Sequence, residues 1–183
     1  MGLNKTQTVD IILDRDGVIN LDSDAYVKSA DEWLPIDSSI QAIAQLHKAG
    51  HRVFVATNQS GIGRGYFSLA TLNAMHEKMR GLINEAGGII TDIAFCPHAP
   101  EDECDCRKPK AGLLESLAHK HSINLTHAIV VGDSLRDLQA ADKVGSSAIL
   151  VLTGKGKKTQ QDNPSLPYPI YENLYDATQA ILA

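Results

Sequence analysis

The sequence predicts an α/β protein, a doubly wound, Rossmann-like parallel sheet with helices on both faces. Two observations carry this. Short, nearly continuous apolar runs rich in Val and Ile alternate along the chain with longer stretches of helical periodicity, the order that gives parallel strands joined by crossover helices. Each apolar run also ends in a polar break, and open sheets of this kind bind ligands at the carboxyl ends of their strands.

The first strand is "VDIILD", Val9 to Asp14, stopped by "RDG". "SSIQAIAQLHKAGH" follows as a helix with a serine cap at its start and Gly50 at its end. "HRVFVATN" is the second strand, and "SLATLNAMHEKMRGLINEAGG" a second serine-capped helix closed by Gly87 and Gly88. "IITDIAFC" makes the third strand, "AGLLESLAHKHS" the third helix, "HAIVVGD" the fourth strand and "LRDLQAADKVG" the fourth helix. "SAILVLTG" is the fifth strand, and "NLYDATQAILA" closes the chain as a helix. "TGKGKKTQQDNPSLPYP" is low in complexity and is expected to be a mobile surface loop or a crossing segment. The whole of 1–183 is expected to be one domain, long enough to bury a real core.

Composition narrows the classes of function. Hydrophobic residues make up 43% and charged residues 21%, as in an ordinary soluble globular protein. A net charge of −5 argues against a general nucleic-acid binder, which needs a basic face for phosphates. No apolar run reaches the roughly 18 residues of a membrane span, and "MGLNKTQTVD" lacks the apolar stretch of a secretory signal. An odd number of cysteines, three, is a poor disulfide framework and suits a reducing compartment, so the expected address is the cytoplasm. Nothing marks a dimer surface, and monomer is the default.

The chemistry is expected at the strand ends. Asp14 and Asp16 lie two apart after the first strand, a spacing that can aim both carboxylates into one crevice, and Gly17 lets the chain turn away. Paired carboxylates repel, so a proton or a cation must sit between them. Asp133 after the fourth strand can complete an oxygen-rich site of the kind Mg²⁺ prefers. Asp137 shares a helix face with Asp133 and reads as a weaker metal candidate or as a capping acid. Thr57 ends the second strand, and "NQSGIGRG" after it has a hydroxyl, glycine-freed backbone N–H groups and Arg64, the makings of a phosphate cradle. Lys108 can balance phosphate charge. Taken singly, each of these features also serves as a cap, a turn or a surface residue.

All three cysteines fall in "CPHAPEDECDCRKPK". Cys96, His98, Cys104 and Cys106 form a Cys₃His set suited to structural Zn²⁺, closed by four protein ligands. A disulfide or coincidence is the alternative. The ion would staple a loop with little core of its own and present Arg107 and Lys108 from a rigid frame.

In combination and in this order, Asp14-x-Asp16, Thr57, Lys108 and "GD" at Gly132–Asp133 resemble the haloacid dehalogenase-like phosphatase superfamily over nearly the whole chain. The resemblance implies that Asp14 is the nucleophile and Asp16 the general acid/base. It implies that Thr57 and Lys108 hold the phosphoryl group, and that Mg²⁺ is bound by Asp14, Asp16 and Asp133. Phosphoryl transfer needs charge neutralisation and in-line positioning more than a strong base, which fits these residue types. A cap domain in this superfamily inserts after the first or the third strand. Here the first gap, Gly17 to Asp37, is too short and the second holds the zinc loop, residues 96–109, so a capless enzyme is expected.

"LDRDGVIN", "TNQSGIGRGYF" and the zinc loop resemble the bacterial heptose-bisphosphate phosphatases, which prepare sugar for nucleotide-activated heptose and lipopolysaccharide. The zinc loop is also similar to that of histidinol-phosphate phosphatases, and both substrates stay open. Arg107 is the expected contact to the distal part of a small phosphorylated substrate. Asn20, Asp22, Asp24, Tyr26, Asn58, Gln59, Ser60 and Arg64 are further candidates, with Ser134 standing where some heptose enzymes carry a lysine. Rival readings are a phosphoacceptor receiver domain, which would place its phosphoacceptor after the third strand, and a zinc interaction module, which would leave the three aspartates without a purpose.

Overall fold

A computed structural model describes residues 7–183; of the N-terminal stretch read above for a secretory signal, residues 1–6 lie outside the described residues. Six parallel strands form one sheet, β1 (Asp10–Leu13), β2 (Arg52–Asn58), β3 (Asp92–Cys96), β4 (Ile129–Gly132), β5 (Ser147–Val151) and β6 (Ile170–Tyr171), in the order β3-β2-β1-β4-β5-β6. The connections are α1 (Asp37–Lys48), α2 (Ser60–Gly63), α3 (Leu69–Glu85), α4 (Gly112–His121), α5 (Leu135–Lys143), α6 (Gly156–Asp162) and, at the end, α7 (Leu174–Leu182).

The sheet is buried on both sides, which is why its strands read as continuous apolar runs rather than alternating ones. Ile11, Leu13, Val53, Val55 and Val131 point to one face, where Ile43 and Leu46 of α1 and Met75, Met79 and Ile83 of α3 pack. Ile12, Phe54 and Val130 point to the other and meet Leu113, Leu114 and Leu117 of α4 and Leu138 and Ala141 of α5. β1 pairs with β2 on one side and β4 on the other, with Leu13 opposite both Val55 and Val131. The strand order reverses at β1 and β4, and residues 14 and 133 leave the sheet side by side at that switch point. This is where a doubly wound sheet opens a crevice.

Two local expectations need correction. The segment 153–169, expected as a loop or crossing segment, does cross between strands, but it contains α6 and leads into β6, a sixth strand. A two-residue edge strand and a seven-residue polar helix are too short to leave a periodic signal. The expected serine cap on α1 is also absent: Ile36 precedes the helix and makes no side-chain cap bond. Ser39 is instead buried one turn in, its Oγ donating to the Val18 carbonyl at 2.6 Å, which ties α1 to the loop after β1. At α3 the cap is as expected, with Ser68 Oγ accepting from the Thr71 N–H.

Candidate active site and metal centres

β1 delivers Asp14 to the crevice, and the Asp14 N–H still donates to the Val131 carbonyl as a last rung of the ladder. Gly17 turns the chain away at φ +84°, and a Cβ there would collide with Asp133 Oδ2. Gly154, at φ +55° after β5, meets the same carboxylate from the opposite side. Glycine at both positions lets Asp133 sit against two backbones, with its Oδ2 accepting from the Lys155 N–H at 2.8 Å.

The carboxylate oxygens of Asp14, Asp133 and Asp137 lie within 4.8 Å of one another. Lys108 Nζ enters this cluster and donates to Asp14 Oδ1 at 2.9 Å, Asp137 Oδ1 at 2.6 Å and the Ala56 carbonyl at 2.7 Å. Asp137 is also the reciprocal partner in the cap of α5, its Oδ2 accepting from Ser134 N–H and Oγ. Asp137 thus caps the helix, anchors Lys108 and stands in the carboxylate cluster with Asp14 and Asp133. Burial would pull the Lys108 ammonium down, but Asp137 and Asp14 outweigh it and its pKa is raised. The acids respond oppositely. Burial, followed by the charge of Asp137, pushes Asp14 up to about 6 despite Lys108. Burial and the charges of Asp14 and Asp137 push Asp133 up to about 8. With all three carboxylates ionised against one ammonium, two negative charges remain, which is the charge of one divalent cation. The all-oxygen donor set suits Mg²⁺.

Asp16 does not belong to this group. Its carboxylate is turned to other partners: Oδ1 takes Arg15 Nη2 at 2.8 Å and Asn20 Nδ2 at 2.9 Å, and Oδ2 takes Gln59 Nε2 at 2.8 Å. Burial raises its pKa, but Arg15 and these donors win and the net shift is downward. Asp137 stands in the third position of the carboxylate cluster.

The cleft over these residues has a volume of about 230 Å³. Asp14, Asp16, Asp22, Asp24, Tyr26, Asn58, Gln59, Ser60, Arg107, Lys108, Asp133 and Ser134 all line it. Three candidates are placed elsewhere. Asn20 is fully buried and serves Asp16. Arg64 faces Glu101 of the cysteine loop at 3.8 Å, outside the cleft. Thr57 is buried with its hydroxyl accepting from Gln59 Nε2 at 2.9 Å. Most N–H groups of the glycine-rich "cradle" are taken up within the protein. The N–H groups of Gln59 and Gly63 donate to the Cys96 and Pro97 carbonyls, and those of Ile62, Arg64 and Gly65 close turns within α2. Gly63 is where α2 touches the cysteine loop, for a Cβ would lie 2.7 Å from the Pro97 carbonyl oxygen.

Sequence reasoning missed Arg136 and Lys155, both lining the cleft. Lys155 Nζ reaches Asp22 Oδ2 at 3.6 Å, joining the loop after β5 to the loop after β1. Arg107 and Arg136 lie close enough that, after burial, Arg136 is the main influence lowering the Arg107 pKa, and neither guanidinium has a carboxylate within 4.0 Å among the described residues. Asn58 clamps the backbone behind them, its side chain accepting from Lys108 N–H at 3.0 Å and donating to Lys108 O at 3.1 Å. Arg15, fully buried and holding Asp16, was passed over as part of a polar break.

Cys96 at the end of β3, with His98, Cys104 and Cys106, brings four donor atoms within 4.8 Å of one another. The Cys104 sulfur is 3.5 Å from that of Cys96 and 3.6 Å from that of Cys106, and His98 Nδ1 is 3.2 Å from Cys106 Sγ. Tetrahedral Zn–S bonds of about 2.3 Å set sulfurs roughly 3.8 Å apart; the Cys104 sulfur is near that spacing from the other two, while the Cys96 and Cys106 sulfurs, 2.7 Å apart, would separate by about 1 Å to admit Zn²⁺. None of the three is in a disulfide. Burial pushes the Cys96 thiol up to about 12, a cost that a bound cation would reverse.

A family model described as HAD-hydrolase-like matches residues 105–177. The D-glycero-β-D-manno-heptose-1,7-bisphosphate 7-phosphatase of Pseudomonas putida is 54% identical over 164 residues, covering 90% of this chain and 94% of that protein. Its counterpart in Neisseria meningitidis is 53% identical over 175 residues, covering 94% of each. The solved structure of D,D-heptose 1,7-bisphosphate phosphatase from B. bronchiseptica, complexed with magnesium and phosphate, matches with a TM-score of 0.92 at 47% identity, covering 96% of this chain and 98% of that one.

Proposed function

Since the chain belongs to the haloacid dehalogenase-like hydrolases, in the family of the D-glycero-β-D-manno-heptose-1,7-bisphosphate 7-phosphatases, we propose that it hydrolyses the 7-phosphate of that sugar bisphosphate through an aspartyl-phosphate on Asp14. The product would feed nucleotide-activated heptose. The observation that carries the reading is the pairing of Asp14 with Asp133 across the switch point, over a buried Lys108. Asp14 and Asp133 would hold Mg²⁺, which would supply charge neutralisation and lower the repulsion between a carboxylate and a phosphate dianion.

The chain's own residues do the rest. Both hydrogen bonds to Asp14, from Lys108 Nζ and Arg15 N–H, go to Oδ1. Oδ2 carries none among the described residues and is the oxygen free to attack phosphorus. Lys108, held by Asp137 and Ala56 O, faces the transferring oxygens, and Gln59, braced from behind by the Thr57 hydroxyl, forms the neighbouring wall. Asp16 delivers a proton to the leaving alkoxide and then takes one from the water that opens the aspartyl-phosphate. Arrival of the phosphate dianion raises its proton affinity for the first half, and its contacts with Arg15 and Gln59 favour the ionised form for the second. Arg107, Arg136 and Lys155 supply positive charge at the outer cleft for the 1-phosphate, while Asp22, Asp24 and Tyr26 face the sugar.

The Cys₃His loop, loaded with structural Zn²⁺, holds Arg107 through its Nη1 bond to the His98 carbonyl at 3.4 Å. One domain acting as a monomer in the cytoplasm, with no nucleic-acid or membrane partner, completes the reading. It is supported by the reduced thiols and the net charge of −5, and no helix among the described residues is long and apolar enough to cross a membrane. The names of the relatives favour heptose bisphosphate over histidinol phosphate. The test is phosphate release with Mg²⁺ on both substrates. A preference of at least ~100-fold in kcat/KM for the heptose, about 2.7 kcal/mol, is expected, and the reverse preference would overturn the assignment.

A further inference from the structure

Beneath the floor of the cleft a polar cluster runs from Asp16 through Arg15 to His76 on α3, and the reaction steps leave His76 without a role. Arg15 is fully buried, and its guanidinium has two sides. One side grips Asp16, with Nε at 3.2 Å and Nη2 at 2.8 Å from Oδ1, while Nη2 also reaches Gln59 Oε1 at 3.3 Å. The other side, Nη1, faces α3, where it finds His76 Nε2 at 3.3 Å and the Met75 thioether at 3.9 Å. An arginine has five N–H donors and no acceptor, so the His76 Nε2 it meets must be the bare, accepting nitrogen. Met75 sulfur is a weak acceptor. His76 is therefore the one strong partner of Nη1 among the described residues, and it comes from a helix otherwise committed to the core through Leu72, Met75, Met79 and Ile83.

We propose that His76 and Arg15 are positioning residues for Asp16: His76 fixes the guanidinium from below, and the guanidinium with Gln59 holds the carboxylate where it can exchange a proton with the leaving oxygen. The inference rests on the reading of Asp16 as the acid/base. The ring suits this role because it stays neutral, burial first and Arg15 second pushing its pKa down to about 3. A protonated imidazole would present Nε2–H to a cation and break the contact. Without the acceptor, Nη1 is a buried charged donor with no good partner, and such a group moves or draws in water rather than stay unsatisfied. Because the same rigid fork carries Nη2, any shift of Nη1 is passed to Asp16.

The test uses leaving groups of different acidity on the zinc-loaded, Mg²⁺-supplemented enzyme. Departure of a sugar alkoxide needs a proton in the transition state, and departure of 2,4-dinitrophenolate does not. Asp16→Asn, His76→Leu and His76→Gln are compared with the parent on the heptose bisphosphate and on 2,4-dinitrophenyl phosphate. His76→Leu is expected to lower kcat on the sugar substrate by roughly 10- to 100-fold, the scale of a small misplacement of a catalytic group, with KM within a factor of two. It should leave formation of the aspartyl-phosphate from the aryl ester, read as a burst of dinitrophenolate, within about threefold of the parent. His76→Gln, which keeps an acceptor, should recover most of the loss. Equal loss on both substrates, no loss on the sugar, or failure of Gln to rescue would overturn the positioning role. Asp16→Asn is the separate check: if it does not itself distinguish the two leaving groups, the acid/base reading of Asp16 fails instead. A burst in His76→Leu also shows that this variant is folded.

Discussion

Asp133 offers a test in which a charge imbalance is read as stability. Buried between Gly17 and Gly154 and next to two other acids, its carboxyl has a pKa of about 8 against an ordinary 3.8. A carboxyl raised on folding binds its proton more tightly in the folded state, so its stabilising contribution is present at low pH and is lost as pH rises through the folded value. Between pH 6.5 and 8 the magnesium-free protein should lose on the order of 1–2 kcal/mol on this account. In a chain of this size that is a fall in Tm of a few degrees. The window lies above the range in which His76, held neutral down to about 3 against an ordinary 6.5, changes the balance. Other groups, the thiols included, are removed by difference: the Tm of the zinc-loaded, magnesium-free parent is compared with that of Asp133→Asn at each pH. The parent should lose Tm relative to the variant as pH rises, and the Tm gained on adding Mg²⁺ should be larger at pH 8 than at 6.5, because ion and proton compete for the same oxygens. A parent-minus-variant difference that is flat with pH would refute the account of an uncompensated acid cluster.

Asp14→Asn should abolish phosphate release while the circular dichroism and melting transition stay cooperative; retained turnover would remove Asp14 as nucleophile. Cys104→Ser should reduce bound zinc, measured by atomic absorption, lower Tm and raise KM through the Arg107 contact, whereas a parent that carries no zinc would refute the staple. Arg136→Ala should raise KM for the bisphosphate by about 10-fold or more, on the scale of one charge-assisted contact, and much less for a heptose 7-monophosphate; equal effects on the two would place Arg136 outside the distal-phosphate contact. Gly17→Ala puts a Cβ into Asp133 at φ +84°, so a loss of at least about 2 kcal/mol is expected in urea unfolding, and an unchanged midpoint would mean that the loop can move aside.

Much of the site was legible because the sheet is parallel. Each strand ends in a crevice-facing loop, so "DRD", "TNQS" and "GDS" could be placed from strand ends alone, and Asp14, Asp133 and Lys108 do meet. The cysteines were legible because their soft ligands occur nowhere else in the chain. The roles that escaped are those decided by which way a side chain turns. Arg64 and Arg107 both sit beside glycines or cysteines in a loop after a strand, yet one faces Glu101 and the other lines the cleft. Arg136 and Lys155 follow β4 and β5 with no motif to mark them.

The sequence alone determined the order of the first five strands and the longer helices, the burial of the sheet on both faces and the identity of the chemical groups, since periodicity and residue type are local properties. Tertiary structure alone decided the partition of four aspartates into two sites. Asp14, Asp133 and Asp137 surround Lys108, while Asp16, two residues from Asp14, is turned to Arg15, Asn20 and Gln59. The reason is physical. A carboxylate turns to donors and counter-charge: Arg15 and Asn20 are near Asp16 in the chain, but Gln59 after β2 and Lys108 of the cysteine loop are far along it, and only folding brings them beside β1.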